Sequence, residues 1–219
     1  MKKKQIIELL IISILGLTPL LWFHGNQIIL GHDSGLTLFP ISHFFDRLSA
    51  WTNRFAFGSD QTYAMAGFFI HGIDALVASF GFSLQEVQKI VFIFWFVLPG
   101  LTMYYFSSRL AKKLQLPYFA LPVSIFYMFN HFLLQGWFVA ERTKFSVYAA
   151  LPLAMAFLFD WEEKKRSTIK TAAFISLTFF VLNGEASLPL FGGVFLTVIA
   201  FSIFYLYKKF SIKKIMVLL

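Results

Sequence analysis

The sequence lacks cysteine and is poor in charge. With no cysteine among its 219 residues, neither disulfides nor thiolate metal sites can contribute to the fold. Charged residues make up only 14% of the chain, against about 25% in a typical soluble domain. Hydrophobic residues make up 58% and aromatic residues 20%. This composition predicts an all-α, polytopic membrane protein built as a transmembrane helical bundle.

The sequence also lacks the common motifs of soluble enzymes. It has no glycine-rich phosphate loop after a strand, no Ser/His/Asp arrangement and no nucleotide-binding unit, so a nucleotide-sugar or ATP site is not indicated. The net charge of +8 would favour nucleic acid in a soluble protein. Here we attribute it to lysines that hold loops on the cytoplasmic side, and we expect no nucleic-acid partner.

Six hydrophobic stretches are candidates for membrane-spanning helices, which need about 20 apolar residues each. The pattern Ser83-Leu84-Gln85-Glu86 predicts a capping box before the second stretch. The basic N-terminus and its apolar run also fit a signal peptide, but a small-residue cleavage site is missing, so we expect an uncleaved helix. The six stretches are Gln5–Phe23, Val87–Leu110, Pro117–Trp137, Phe145–Phe159, Ile169–Leu182 and Leu188–Tyr207.

The basic residues predict the orientation of these spans. With six spans and a cytoplasmic N-terminus, 14 of the 19 Lys and Arg lie on the inner side, as the positive-inside rule requires. We interpret residues 215–219 as the opening of a seventh span. The chain 1–219 is therefore expected to be the N-terminal transmembrane part of a longer protein in the plasma membrane.

The first outer loop, residues 24–86, is predicted to form a structured cap. From Leu38 to Trp51 the apolar residues follow helical spacing, which predicts an amphipathic helix lying in the membrane interface. Residues 64–82 are apolar enough to span the membrane, but the charge of Asp74 would then be costly at mid-bilayer. An additional span here would also move every later basic cluster to the outer side, against the positive-inside rule. We interpret this segment as a re-entrant or interfacial pair of helices broken near Gly72 and Gly81.

The polar segment Gly31-His32-Asp33-Ser34-Gly35 carries the main catalytic candidate. Asp33 follows the first span, where a carboxylate can act as general base on an acceptor hydroxyl or help to hold a divalent cation. The alternative is a turn in which the Asp side chain bonds nearby backbone amides. A zinc site is disfavoured because the histidines show no clean His-x-x-x-His spacing.

Further polar residues are predicted on the same outer side. Arg142 and Lys144 suit a phosphate, with a simply solvated loop as the alternative. Carboxylates near a membrane tend to be functional, which singles out Glu185 at the end of the fifth span. The substrate-binding candidates are His43, Gln61, Glu141, Arg142, Lys144, Asn183 and Glu185.

Several residues of the first outer loop form a pattern with a family resemblance. They are Asp33, Leu38, Pro40, Phe44, Arg47-Leu48, Trp51, Phe57-Gly58, Gln61, Tyr63, Phe68-Phe69, Gly81 and Val87-Gln88-Lys89, followed more faintly by Ala140-Glu141, Leu151-Pro152-Leu153 and Asn183. This pattern resembles the membrane α-(1→3)-arabinofuranosyltransferases of the GT-C superfamily, which use polyprenyl-phosphate sugars. Family members carry a basic residue close behind the Asp, where this chain has Ser34-Gly35.

The resemblance implies a GT-C-like fold and an inverting transfer of a sugar, arabinofuranose in that family. The donor would be a polyprenyl-phosphate sugar and the acceptor a glycan or lipid-linked glycan on the outer face. Asp33 would take the acceptor proton, Arg142 and Lys144 would hold the donor phosphate, and Glu141 and Glu185 would bind sugar hydroxyls or a divalent cation.

Two other functions remain open on the sequence. A lipid-linked oligosaccharide transporter, or flippase, would also need a polar cavity, although it is expected to carry charge near the midplane of interrupted helices. A non-catalytic membrane assembly subunit is the third interpretation.

Overall fold

A computed structural model describes residues 3–30, 37–52, 58–138, 140–183 and 188–209. These residues are mostly helical, with 3-10 segments at Thr18–Trp22 and Thr62–Gly67, and the predicted all-α class is confirmed. Among the described residues, the exception is one short pair of antiparallel strands, β1 (Trp51–Thr52) and β2 (Ser59–Asp60). The α-helices are α1 (Lys3–Leu15), α2 (Pro40–Asp46), α3 (Phe68–Ser79), α4 (Leu84–Leu114), α5 (Ala120–Phe129), α6 (His131–Phe138), α7 (Arg142–Glu162), α8 (Thr168–Val181) and α9 (Leu188–Lys209).

Helix α4 is the central element and begins as predicted. Glu86 donates its backbone N–H to the Ser83 hydroxyl over 3.4 Å, and the Glu86 carboxylate accepts the Ser83 N–H at 2.8 Å. This reciprocal arrangement is a capping box. The helix has 31 residues and ends at Leu114, because the next residue, Gln115, has a left-handed backbone with φ 57°. It packs against α1, α3, α5 and α7.

Helices α4 and α7 run in the same direction. Near their N-terminal parts Trp137 links them, with ring centroids 5.2 Å from Phe92 and 4.0 Å from Phe145. At the other end Arg109 Nε of α4 donates to Asp160 Oδ1 of α7 at 3.0 Å. The segment between them, α5 followed by α6, therefore runs in the opposite direction, from the end of α4 back to the start of α7.

Helices α1 and α8 also run from one end of the bundle to the other. Helix α1 starts beside the C-terminal half of α4, where Glu8 accepts the Tyr104 hydroxyl at 2.6 Å. The chain reaches the opposite end at Trp22, 5.1 Å from Trp137. Helix α8 ends near α3, with the Phe180 and Phe69 rings 5.3 Å apart. Among the described helices, α1, α4, the α5–α6 segment, α7 and α8 thus run alternately between two ends of the bundle.

Charged side chains collect at these two ends. We call one the basic end; its described charged members include Lys4, Arg109, Lys112, Lys113, Asp160, Glu162, Glu163, Lys164, Lys165, Arg166 and Lys170. We call the other the histidine end; it includes His43, Arg47, His71, Asp74, Glu141, Arg142 and Lys144. The two groups of basic residues that the sequence assigned to opposite sides therefore occupy opposite ends, as far as the described residues extend.

Two helical stretches of the described residues are long and apolar enough to cross a membrane. They are Lys3–Trp22, with mean hydropathy 1.9, and Leu84–Leu114, with mean hydropathy 1.7. Shorter apolar helices cover Met65–Ser79, Thr168–Val181 and Gly192–Ile203. The protein is thus helical with two helices of spanning length and composition.

The predicted amphipathic helix of the cap is shorter than expected. Helix α2 covers only Pro40–Asp46, and Trp51 belongs to β1, opposite Asp60. The Trp51 indole lies over Gly58, where an added Cβ would stand 2.5 Å from the indole nitrogen. Gly58 also has φ +103°, so glycine is required at this turn.

The predicted break at Gly72 is wrong, whereas the break at Gly81 is confirmed. Gly72 lies inside the continuous helix α3, and an added Cβ there would approach the Phe44 ring to 3.3 Å. Its small size therefore serves the close packing of α2 on α3 rather than a break. Gly81, with φ +83°, follows the end of α3.

The third predicted span is divided in two. Asn130 has an extended backbone (φ −72°, ψ 159°) between α5 and α6. Its side-chain oxygen accepts the Leu133 N–H at 3.2 Å, while its amide group donates to the Tyr148 hydroxyl at 2.7 Å. An Asn in this position caps a new helix, which explains the interruption of an otherwise apolar run.

Candidate functional site

A buried ion pair forms the centre of the histidine end. Arg142, the first residue of α7, donates from Nη1 to Asp74 Oδ1 of α3, and both side chains are 1% exposed. Two opposite charges removed from water in this way are strongly coupled, because each would otherwise be an uncompensated charge in the interior. The pair joins two elements that are 68 residues apart in the chain.

Two histidines extend this network towards the cap. His71 lies one turn before Asp74 on α3, with Nδ1 3.7 Å from Asp74 Oδ2, and is 1% exposed. Its ring is roughly perpendicular to the His43 ring, with the two centroids 4.9 Å apart. His43 Nε2 in turn accepts the Arg47 Nε–H at 2.7 Å. A line of polar side chains therefore runs from the surface helix α2 to the buried Arg142.

Two glutamines hold the cap in place. Gln61 donates its amide group to the backbone oxygens of Asp46 at 2.8 Å and Ser49 at 2.9 Å, which closes the turn after α2. Gln88, fully buried on α4, both accepts the Ile29 N–H at 2.7 Å and donates to the Ile29 oxygen at 2.6 Å. The backbone at Ile29 is thus fixed to the N-terminal end of α4.

The predicted phosphate-binding hairpin has its two basic residues in different environments. Arg142 points inward to Asp74, whereas Lys144 is partly exposed and pairs with Glu141 at 2.7 Å. Lys144 also lies at a groove of about 290 Å³ between α6, α7 and α9. The other groove residues are mostly apolar: Phe132, Val147, Tyr148, Leu151, Gly193, Val194 and Thr197.

Asn183 lines a second cavity of about 420 Å³ at the same end of the bundle. Its side-chain amide donates to the Phe180 backbone oxygen over 3.3 Å. The remaining lining residues are apolar and come from the cap, from α3 and from α8: Leu48, Met65, Ala66, Phe68, Phe69 and Phe180. Asn183 is therefore placed where it can contact an apolar molecule bearing a polar group.

Asp33 and Glu185 lie outside the described residues, as does His32. Ile29, a described residue shortly before Asp33, is held by Gln88 near the start of α4. The start of α4 lies at the histidine end of the bundle, where Arg142 also lies. Within the described ranges, no group of three His, Asp or Glu side chains is arranged to hold a metal ion. A divalent cation at Asp33 stays a prediction.

The structure therefore brings together His43 and Arg142 through two residues that the sequence argument did not assign to the site, His71 and Asp74. A signal for them was available. A charge inside an apolar helix needs a partner of opposite sign or a polar cavity, and Asp74 with His71 one turn earlier met that description. What the sequence did not show was that Arg142 is the partner.

No protein-family model matches this chain, and no curated protein or solved structure matches it significantly. The arabinofuranosyltransferase resemblance therefore stays a prediction from the residues themselves.

Replacing Gln88 with leucine is expected to release the backbone at Ile29. The substitution introduces an apolar side chain of similar size and removes both hydrogen bonds to Ile29, each of which contributes about 0.5–1.5 kcal/mol. Amide hydrogen exchange should become faster at Ile29, and the free energy of unfolding should fall.

Gln135→Leu is the matched control, because Gln135 is exposed on α6. Unchanged exchange at Ile29 in Gln88→Leu would show that this glutamine does not anchor the segment before Asp33.

Proposed function

We propose that this chain is a multi-pass membrane glycosyltransferase of the GT-C type, with its N-terminus in the cytoplasm and its histidine end on the outer face of the plasma membrane. It would transfer a sugar, arabinofuranose by the family resemblance, from a polyprenyl-phosphate donor to a glycan or lipid-linked acceptor. The observation that carries the proposal is the convergence of His43, His71, Asp74 and Arg142 at one end of an apolar bundle.

The length of the helices supports the membrane placement. From Arg142 to Asp160, α7 extends about 27 Å at about 1.5 Å per residue, close to the about 30 Å hydrocarbon thickness of a bilayer. On α4 no charged residue occurs between Lys89 and Arg109, about 30 Å apart by the same rise.

Exposed apolar side chains support it as well. Many large hydrophobic residues between the two ends face outward, among them Leu10 at 55%, Ile14 at 65%, Phe126 at 73% and Leu196 at 65% exposure. A soluble monomer rarely exposes apolar patches of this extent, whereas lipid tails would cover them.

The groove beside Lys144 supports a lipid-linked donor. It is apolar along α7 and α9 and has the Lys144 ammonium group among its lining residues. A polyprenyl chain would lie along the apolar walls, with its phosphate near the ammonium group. In this proposal Lys144 contacts the phosphate, and Arg142, paired with Asp74, fixes the start of α7 next to it.

The proposed reaction is a direct displacement in which Asp33 is the general base. Asp33 takes the proton of the acceptor hydroxyl, and the acceptor oxygen attacks the anomeric carbon from the face opposite the phosphate. The bond between that carbon and the phosphate oxygen breaks, and polyprenyl phosphate leaves with the electron pair. The Lys144 charge stabilises the phosphate as it departs.

The activity is tested with the purified protein in lipid vesicles and a radiolabelled polyprenyl-phosphate sugar. Labelled glycan accompanied by an equal amount of polyprenyl phosphate would support transfer. Movement of intact donor across the vesicle membrane with no new glycosidic bond would instead identify a transporter and overturn the enzymatic proposal.

A further inference from the structure

The basic end contains an open cleft that the proposed reaction does not use. Two adjoining cavities, of about 580 and 730 Å³, share Lys165, Arg166 and Ser167. The first lies along the α7–α8 turn, and the second continues down α8 to Ala173, Phe174 and Leu177. The cleft therefore has a basic mouth and an apolar lower wall.

The mouth of the cleft is held in shape by a buried carboxylate. Asp160, 4% exposed, accepts from Arg109 Nε at 3.0 Å and from Arg166 Nε at 3.1 Å. The Arg166 guanidinium also lies 4.8 Å from the Phe174 ring centroid. Because these contacts fix Arg166 between the turn and α8, the cleft does not depend on mobile surface side chains alone.

The charged lining of the cleft is mainly basic: Lys164, Lys165, Arg166 and Lys170 outnumber the carboxylates of Asp160 and Glu162, which favours an anionic ligand. Arg166 and Lys165 have acidic neighbours, Asp160 and Glu163 respectively, whereas Lys170 has no carboxylate within ion-pair distance among the described residues. Lys170 and Lys165 both line the second cavity. A phosphate bound in this cavity would lie near the ammonium groups of Lys165 and Lys170 and the guanidinium group of Arg166.

The lower wall indicates that the anion is attached to an apolar chain. Phe174 is 40% exposed and Leu177 is 55% exposed, and both face the cavity that begins at Lys165 and Lys170. A free anion would gain nothing from this wall. An acyl chain would cover it, and each buried CH₂ contributes about 0.8 kcal/mol.

We propose that this cleft binds the headgroup of an anionic phospholipid, with the phosphate between Lys165, Arg166 and Lys170 and an acyl chain against Phe174 and Leu177. Basic pockets between helices at the cytoplasmic surface are suited to such headgroups. The inference rests on the membrane placement proposed above and is independent of the transferase reaction.

The test compares lipids by titrating the full-length chain in uncharged detergent and following its thermal unfolding. Phosphatidylglycerol is expected to raise the unfolding temperature saturably, and phosphatidylcholine and inorganic phosphate are not. Lys170→Gln should weaken the apparent phosphatidylglycerol affinity about five-fold, and the Lys165→Gln/Lys170→Gln pair about thirty-fold, on the scale of about 1 kcal/mol per basic residue.

Lys112→Gln is the matched control, since it removes one charge from the basic end outside this cleft and should leave the affinity unchanged. Equal stabilisation by phosphatidylcholine, equal stabilisation by inorganic phosphate, or equal weakening by Lys112→Gln would each overturn the lipid site. Carbonate extraction of native membranes separates the two proposals. Release of the chain contradicts the membrane placement and this inference together, whereas retention without a phosphatidylglycerol preference overturns this inference alone.

Discussion

Replacing Asp74 with leucine is expected to lower the free energy of unfolding by about 3–5 kcal/mol, because it leaves the Arg142 guanidinium in the interior without this carboxylate. Both side chains are 1% exposed, so solvent cannot replace the lost partner. Arg142→Met should have a similar cost, since it leaves the Asp74 carboxylate buried. Thermal or denaturant unfolding in detergent measures both.

The double variant Asp74→Leu/Arg142→Met distinguishes a coupled pair from two separate contributions. Removing both charges avoids a buried unpaired ion, so the double variant should be more stable than either single one. The control pair is Glu141 with Lys144, whose side chains are 24% and 20% exposed. Removing either of them should cost about 0–1 kcal/mol. Additive losses at Asp74 and Arg142 would contradict the coupling.

The same double variant also tests what Arg142 does besides holding the fold. If Arg142 supplies positive charge to the donor phosphate, a stable double variant should still bind the donor more weakly than the wild type. If its role is only structural, the double variant should keep the donor affinity. Titration of the donor into both proteins decides between these outcomes.

Asp33→Asn is expected to reduce sugar transfer by about 10²–10⁴-fold with little change in donor binding. Asparagine keeps the shape of the side chain but cannot accept the acceptor proton, and general-base catalysis contributes a factor of this size. The assay is the single-turnover transfer of label from the polyprenyl-phosphate sugar by the purified protein.

Asp60→Asn is the control for Asp33→Asn, because Asp60 is an exposed aspartate of the same loop, on β2. It should transfer the sugar at the wild-type rate. Wild-type-like transfer by Asp33→Asn would leave Asp33 as a turn residue and remove the proposed mechanism.

Local signals in the sequence predicted much of the helical framework. The capping box at Ser83 and the break near Gly81 depend on residues within one turn, and the structure has both. The hydrophobic pattern does not reveal the interruption at Asn130, because most of the surrounding residues are apolar. There, a single side chain that caps α6 and bonds Tyr148 outweighs the hydrophobic pattern.

The centre of the site was harder to predict because it depends on contacts between distant residues. The sequence singles out Asp74 as a charge that is costly in an apolar segment, and Arg142 as a candidate phosphate ligand. Their pairing depends on α3 packing across the start of α7. Likewise, Gly72 fits a helix break in sequence, and its actual role follows from the Phe44 ring packed against it.

The aromatic residues show the same limit. Some of them, such as Phe126 at 73% exposure, lie on the outer surface of the bundle. Trp95, Phe92 and Phe145 are instead fully buried in the hydrophobic core to which α4 and α7 both contribute. Composition alone cannot separate these two environments, because both are apolar.

The placement of the two ends on opposite sides of a membrane is the central claim, and single-cysteine labelling tests it most directly. Because the chain has no native cysteine, Ser49→Cys at the histidine end and Ser167→Cys at the basic end each introduce the only thiol. In intact cells, an impermeant thiol reagent should label Ser49→Cys and should label Ser167→Cys only after the membrane is opened. Equal labelling of both variants in intact cells would contradict the six-span arrangement and the outer-face site with it.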